Sequence, residues 1–135
     1  MFVIKAKVND ARASTFAFDS AKTMYGGKLI TAGDVIYVFA SENEGGTGLV
    51  AMGAVATAVP TPKMIGIARQ TPRVSITVER TVLARRRVGR CELKRFSDWN
   101  DGRPETELNF KLYRQATNKI VAISENTATF LRGFF

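Results

Sequence analysis

Gly33–Ala58 reads GDVIYVFASENEGGTGLVAMGAVATA, and the parsing of this stretch decides the fold. An apolar, aromatic run from Val35 to Ala40 enters a polar loop, Ser41 to Gly48, that holds Gly45, Gly46 and Gly48. The chain leaves along a second apolar run of small residues, Leu49 to Ala58. Two β-compatible runs joined by such a loop predict a strand–loop–strand unit. The first run is apolar on both faces, with Val35, Tyr37 and Phe39 on one and Ile36, Val38 and Ala40 on the other. A strand of that kind is central in a sheet or belongs to a barrel wall. The alanines and glycines of the second run fit strong curvature or the close approach of a neighbour.

Working outward, Phe2 to Val8 alternates Phe2, Ile4, Ala6 and Val8 against Val3, Lys5 and Lys7, predicting a strand with one buried face. Asp10 to Tyr25 admits a helix capped by Asp10 and stopped at Gly26–Gly27, or a short strand at Ser14–Phe18. The helix is favoured for part of it. After Pro60 and Pro62, residues 64–68 read as a short strand or an edge. Arg73 to Ala84 alternates most clearly and is a strand, with Cys91 to Phe96 returning as another. Ser97 to Pro104 is a turn-rich loop around Trp99. Thr106, Leu108, Phe110 and Leu112 alternate with polar neighbours, predicting a half-buried strand, and Lys119 to Ile123 is a short one. Ser124 caps a C-terminal amphipathic helix with Glu125 in its first turn. Six or seven strands without regular βαβ alternation predict an α+β fold: a small, mostly antiparallel β-barrel with short peripheral helices.

The 135 residues suit one domain, 1–135, and 45% apolar content supports a core. There is no histidine and one cysteine, Cys91. This excludes Ser-His-Asp and Cys-His machinery, an intrachain disulfide and an ordinary zinc site. Without an activating histidine, Cys91 reads as a small buried residue. The longest apolar run is far short of a membrane span, so the expectation is a soluble, cytoplasmic protein without membrane contact. The net charge of +8 is concentrated: residues 61–95 hold ten basic and two acidic side chains, and the flanking parts are each neutral. A cluster of that kind attracts polyanions such as nucleic acid, although a solvated strand pair has the same composition.

The Gly33–Asp34 pair, the β-run ending in Phe39-Ala40-Ser41, the glycine-rich loop and the small-residue strand resemble the core of the PUA-like superfamily, particularly its EVE and ASCH-type members. The N-terminal tryptophan usual in EVE domains is missing from this sequence. The resemblance implies a small barrel whose mouth accepts a nucleotide, often a modified base in RNA or DNA. In such a pocket an extruded base stacks on aromatic rings and is read along its edge.

On that basis Ser41, Glu42 and Asn43 supply donors and acceptors for a base edge, unless they satisfy their own loop. Tyr37 and Phe39 are a stacking wall or core, and Trp99, beside Asn100, is a stacking residue or a lid. Arg85, Arg86, Arg87 and Arg90 are candidate phosphate contacts. The glycines lack the Lys-Ser/Thr ending of a P-loop, and no spacing singles out a catalytic carboxylate pair. The expected function is therefore a non-catalytic module for RNA, DNA or a nucleotide, with no metal or cofactor. A protein-interaction domain and a carboxylate-dependent nucleotide enzyme are the alternatives. Oligomeric state is left open.

Overall fold

Six strands build the molecule: β1 (Phe2–Ala6), β2 (Thr15–Met24), β3 (Val35–Ala40), β4 (Gly48–Pro60), β5 (Arg73–Leu83) and β6 (Lys119–Ala122). The computed structural model describes every residue except 68 and 116. The strands close into a barrel in the order β1-β3-β4-β5-β2-β6. Its seams are mixed: β1 pairs with β3 and β2 with β6 in parallel, and the other four are antiparallel. The expectation of a mostly antiparallel barrel holds in those four seams, and the two parallel ones make the sheet mixed. The chain lays down β2 two places from β1 before β3 returns on the other side of β1, and such a crossover produces a parallel seam.

Two apolar clusters explain why β3 is hydrophobic on both faces. Inside the barrel, Ile4, Phe16, Phe18, Ile36, Val38, Val55, Ile76 and Ile120 pack together. On the outside, Val3, Tyr37, Phe39 and Val121 meet Leu93, Leu108, Leu112, Ala128 and Leu131 of the helical layer. Burial of each large aliphatic or aromatic side chain here contributes about 1.5–3 kcal/mol. The same arrangement corrects the reading of β1 as buried on one face, because both faces are covered over Phe2–Lys5.

β4 curves against β5 at Gly53, where an added Cβ would collide with the carbonyl oxygen of Glu79. The register slips between Met52 and Gly53 and again between Val55 and Thr57. The small residues of this run thus serve close strand approach, as expected.

The helical layer holds α1 (Arg90–Leu93), α2 (Pro104–Leu108), which runs into a π-helical turn at Asn109–Tyr113, and α3 (Glu125–Arg132). Four predicted elements change type. Cys91–Phe96 begins as α1, with Glu92 accepting from the Gly89 N–H at 2.8 Å, and Cys91 is exposed on it rather than buried. Thr106–Leu112 is helical: Pro104 starts the first turn, Glu105 and Glu107 suit its positive end, and Leu108 and Leu112 are buried one turn apart. The alternation was coincident with that spacing.

The third change is Asp10–Tyr25, where the helix gives way to β2, which carries Phe16 and Phe18 into the barrel and bulges between Phe18 and Ala21. Residues 64–67 form a turn and not a strand, and residue 68 lies outside the described residues. The cap of α3 is as expected, Ser124 Oγ accepting from the Thr127 N–H at 3.2 Å. Among the described residues no helix is long and apolar enough to cross a membrane.

Candidate nucleic-acid interface

The loop Ser41–Gly45 forms a single tight turn at the end of β3. The Ser41 N–H donates to the Ala6 carbonyl at 2.9 Å, which pins the turn to the end of β1. Gly46 donates to the Ser41 carbonyl at 2.8 Å and closes the loop. Its N–H therefore serves the loop's own structure.

Glu42 is the centre of a polar network. Its carboxylate accepts from the Tyr113 hydroxyl at 3.0 Å and 3.2 Å and from the Arg90 backbone N–H at 2.7 Å. The absence of a side chain at Gly89 admits this carboxylate, since a Cβ there would come within 2.6 Å of Glu42 Oε2. The Arg90 guanidinium donates to Asn43 Oδ1 at 2.8 Å, and Asn118 Nδ2 donates to Glu44 Oε2 at 3.0 Å. Burial and the adjacent Glu42 carboxylate push the Tyr113 phenol far above its ordinary range. Tyr113 is therefore a permanent hydrogen-bond donor.

Beside this network lie two lysines that the sequence reading assigned no role. Lys5 and Lys119 are each only 1% exposed. They face each other across the antiparallel β1–β6 seam, and Lys22 faces Lys119 across the parallel β2–β6 seam. Strand alternation places Lys5 with Val3, Lys119 with Val121 and Lys22 with Met24, all on the helix-bearing side. Ser41 shares that side with Tyr37 and Phe39.

The Lys5 ammonium lies 4.8 Å from the centroid of the Tyr113 ring. Among the described residues, Lys5 Nζ, Lys119 Nζ and Ser41 Oγ are buried without a hydrogen-bond partner. Burial draws both lysines below their usual pKa. Arg90 reinforces this at Lys5, where Glu42 and Glu44 oppose it, and Lys5 reinforces it at Lys119.

At the same end of the barrel a concavity of about 390 Å³ is lined by Lys5, Lys7, Lys22, Arg73 and Lys119, with Asp19 as the one carboxylate on its wall. These cations come from four strands and a strand end, so counting charge along segments did not find them. The available signal was a lysine at position 5 in line with the apolar Val3.

The predicted site residues are divided by the structure. Ser41, Glu42, Asn43 and Arg90 do come together. Tyr37 and Phe39 are fully buried and belong to the core, which removes them as a stacking wall. The Tyr37 hydroxyl is spent on the Ala128 carbonyl at 3.3 Å.

Trp99 is 66% exposed and meets Phe110 edge-on at 4.7 Å, lining a separate cavity of about 240 Å³ with Tyr25 and Lys111. It does not share a cavity with Ser41 and Asn43, and Asn100 is exposed beside it. Arg85, Arg86 and Arg87 line a third depression of about 400 Å³ next to Thr47. Arg86 is engaged there, donating to the Gly133 carbonyl at 2.6 Å and lying over the Phe134 ring at 4.7 Å. Arg87 sits 3.9 Å from Glu92. Among the described residues no cluster of His, Cys, Asp and Glu could hold a metal ion.

The chain is a closed, mixed six-stranded barrel with short helices packed on one side, which is the architecture that the resemblance at Gly33–Ala58 implies. Among solved structures, the chain is similar to the DUF55 domain of human thymocyte nuclear protein 1, with a TM-score of 0.66 and 13% identity over 98% of this chain and 96% of that one. It is similar also to human THYN1 protein in complex with DNA containing 5-methylcytosine, with a TM-score of 0.64, 13% identity and coverage of 98% and 95%. A protein from Pseudomonas putida gives a TM-score of 0.64 at 12% identity, covering 98% and 97%. No protein-family model and no curated protein matches the sequence, and at these identities the likeness is one of fold.

Proposed function

We propose that this chain is a nucleic-acid-binding module that takes up a single base, in a modified form, at the end of the barrel where the Ser41–Gly45 turn meets β1 and β6. The observation that carries this reading is the concavity of about 390 Å³ lined by five cationic residues and bordered by buried polar atoms that lack partners. A duplex keeps base edges stacked inside, so a base enters such a site only when extruded or single-stranded. Extrusion costs a few kcal/mol, which cationic contacts to neighbouring phosphates offset.

Ser41 and Asn43 are the residues assigned to the base edge, with Glu42 held in place by Tyr113 and Arg90. Arg90, and Arg85 and Arg87 around the rim, are assigned to phosphates. The solved complex of a similarly folded protein with DNA containing 5-methylcytosine supports DNA as the first polymer to test.

The test is fluorescence anisotropy with single strands and duplexes of one sequence, carrying cytosine or 5-methylcytosine at one position. The expected result is binding that weakens steeply with salt and prefers the modified strand. Equal affinity for both strands at every salt concentration would remove the base-reading part of the proposal. Absence of binding to any strand would remove the whole.

A further inference from the structure

We propose that the group inserted among Lys5, Lys119 and Ser41 is acidic: an oxyanion on the nucleotide, either a phosphate or a carboxylate carried by the base. This deepens the function proposed above and rests on it for the identity of the guest as a nucleotide.

Residues directly opposite in neighbouring strands have Cβ atoms about 4.5–5.5 Å apart, and like charges in such positions repel. Here Lys5, Lys119 and Lys22 stand in register across three adjacent strands. Solvated lysines relieve the repulsion in water, but Lys5 and Lys119 are buried. Buried ammonium groups are ordinarily paired with carboxylates. Among the described residues, however, the ion pairs within 4.0 Å are Arg87–Glu92 and Lys111–Glu107, and neither involves this row.

Among the described residues Asp19, on the wall of the concavity, makes no ion pair with the row, and the two carboxylates whose charge acts on Lys5 are committed elsewhere. Glu42 is held by Tyr113 and Arg90, and Glu44 accepts from Asn118. Two ammonium groups facing each other across the β1–β6 seam, buried and without acceptors among the described residues, form a donor pair for an anion with several oxygens, and the Ser41 hydroxyl, likewise unpartnered, lies on the same side of the sheet. Burial, and then the charge of Arg90 at Lys5 and of Lys5 at Lys119, draws the pKa of both lysines down.

The experiment compares four strands of one sequence: unmodified with a 5′-hydroxyl, the same with a 5′-phosphate, one with an internal 5-methylcytosine and one with an internal 5-carboxycytosine. The phosphate arm and the carboxylate arm identify which source supplies the anion. A charge-assisted hydrogen bond is worth about 1.5–3 kcal/mol. One acidic strand should therefore bind roughly ten- to hundred-fold more tightly than its neutral counterpart.

Lys119→Met should erase that margin, as should Lys119→Gln, while Lys63→Met, at an exposed position outside the lysine row, should keep it. Free nucleoside, nucleoside monophosphate and 5-carboxycytosine are measured alongside by calorimetry. Strands that bind with no acidic margin would overturn the anion assignment and leave the function standing. Free acids that bind where no strand does would sustain the anion site and overturn the nucleic-acid reading. A margin that survives in both Lys119 variants would also overturn the assignment.

Discussion

Lys119 is buried on a strand whose partners across both seams, Lys5 and Lys22, are lysines as well. A buried ammonium without an acceptor is destabilising, and its methylene stem is not. Lys119→Met keeps the stem and removes the charge, so it should raise the unfolding free energy by about 1–3 kcal/mol. Urea denaturation near neutral pH measures this, and a decrease would mean that the charge is satisfied in the folded protein.

The sign with pH is fixed by the direction of the shift. The folded-state pKa of Lys119 lies below the ordinary lysine value of 10.5, so the unfolded chain binds more protons between the two. The wild-type penalty is complete below the lowered value and fades as pH climbs toward 10.5. The advantage of the methionine variant should therefore shrink at alkaline pH.

At the scale of elements, one carboxylate ties α2 to α3. Glu107 accepts from the Ser124 N–H at 3.0 Å, from the Ser124 hydroxyl at 2.7 Å, from the Thr127 hydroxyl at 2.6 Å and from Lys111 Nζ at 3.0 Å. Burial alone would raise its pKa, but these donors together hold it below the usual 4.5. Its contribution is thus fully present above about pH 4.5 and is lost as pH falls through the lowered value. Glu107→Gln should cost about 1.5–3 kcal/mol at neutral pH and flatten the acid limb of the stability profile. Thermal melts between pH 3 and 7 report both, and an unchanged acid limb would assign it to other carboxylates.

The β4–β5 seam offers a second test at this scale. Gly53→Ala places a Cβ against the Glu79 backbone and should cost about 1–3 kcal/mol or more, read by chemical denaturation. A neutral result would mean that the bulged register of β4 can slide.

Across the whole molecule, cationic side chains gather at two separate depressions. One is the lysine-lined barrel end, assembled from residues 5 to 119. The other is the arginine run after β5. Arg86 is occupied at Gly133 and Phe134, so Arg86→Ala is a stability variant, whereas Arg85 and Arg87, the latter in a long and exposed pair with Glu92, are the residues assigned to phosphates above. Replacing Arg85 and Arg87 together by Ala should weaken strand binding across all sequences and reduce the slope of log K against log salt by roughly 1.4–1.8. An anisotropy salt titration measures it, and an unchanged slope would exclude this rim from the phosphate track.

By itself the sequence determined the barrel wall at Gly33–Ala58, the alternation of β5, the cap at Ser124 and the concentration of arginines in residues 61–95. Each of these is local: periodicity, turn chemistry or composition is complete within a short window. Helical Thr106–Leu112 was legible too, through Pro104 and the acidic first turn, but a two-residue alternation overlapped the helical spacing.

Only the tertiary structure decided that Tyr37 and Phe39 are core, that Trp99 stands apart from Ser41 and Asn43, and that three lysines distant in sequence line up across three strands. Which strand lies beside which is set by barrel closure. The charge of a site depends on that neighbourhood, because Coulomb interaction and desolvation follow distance through space and have no counterpart in position along the chain.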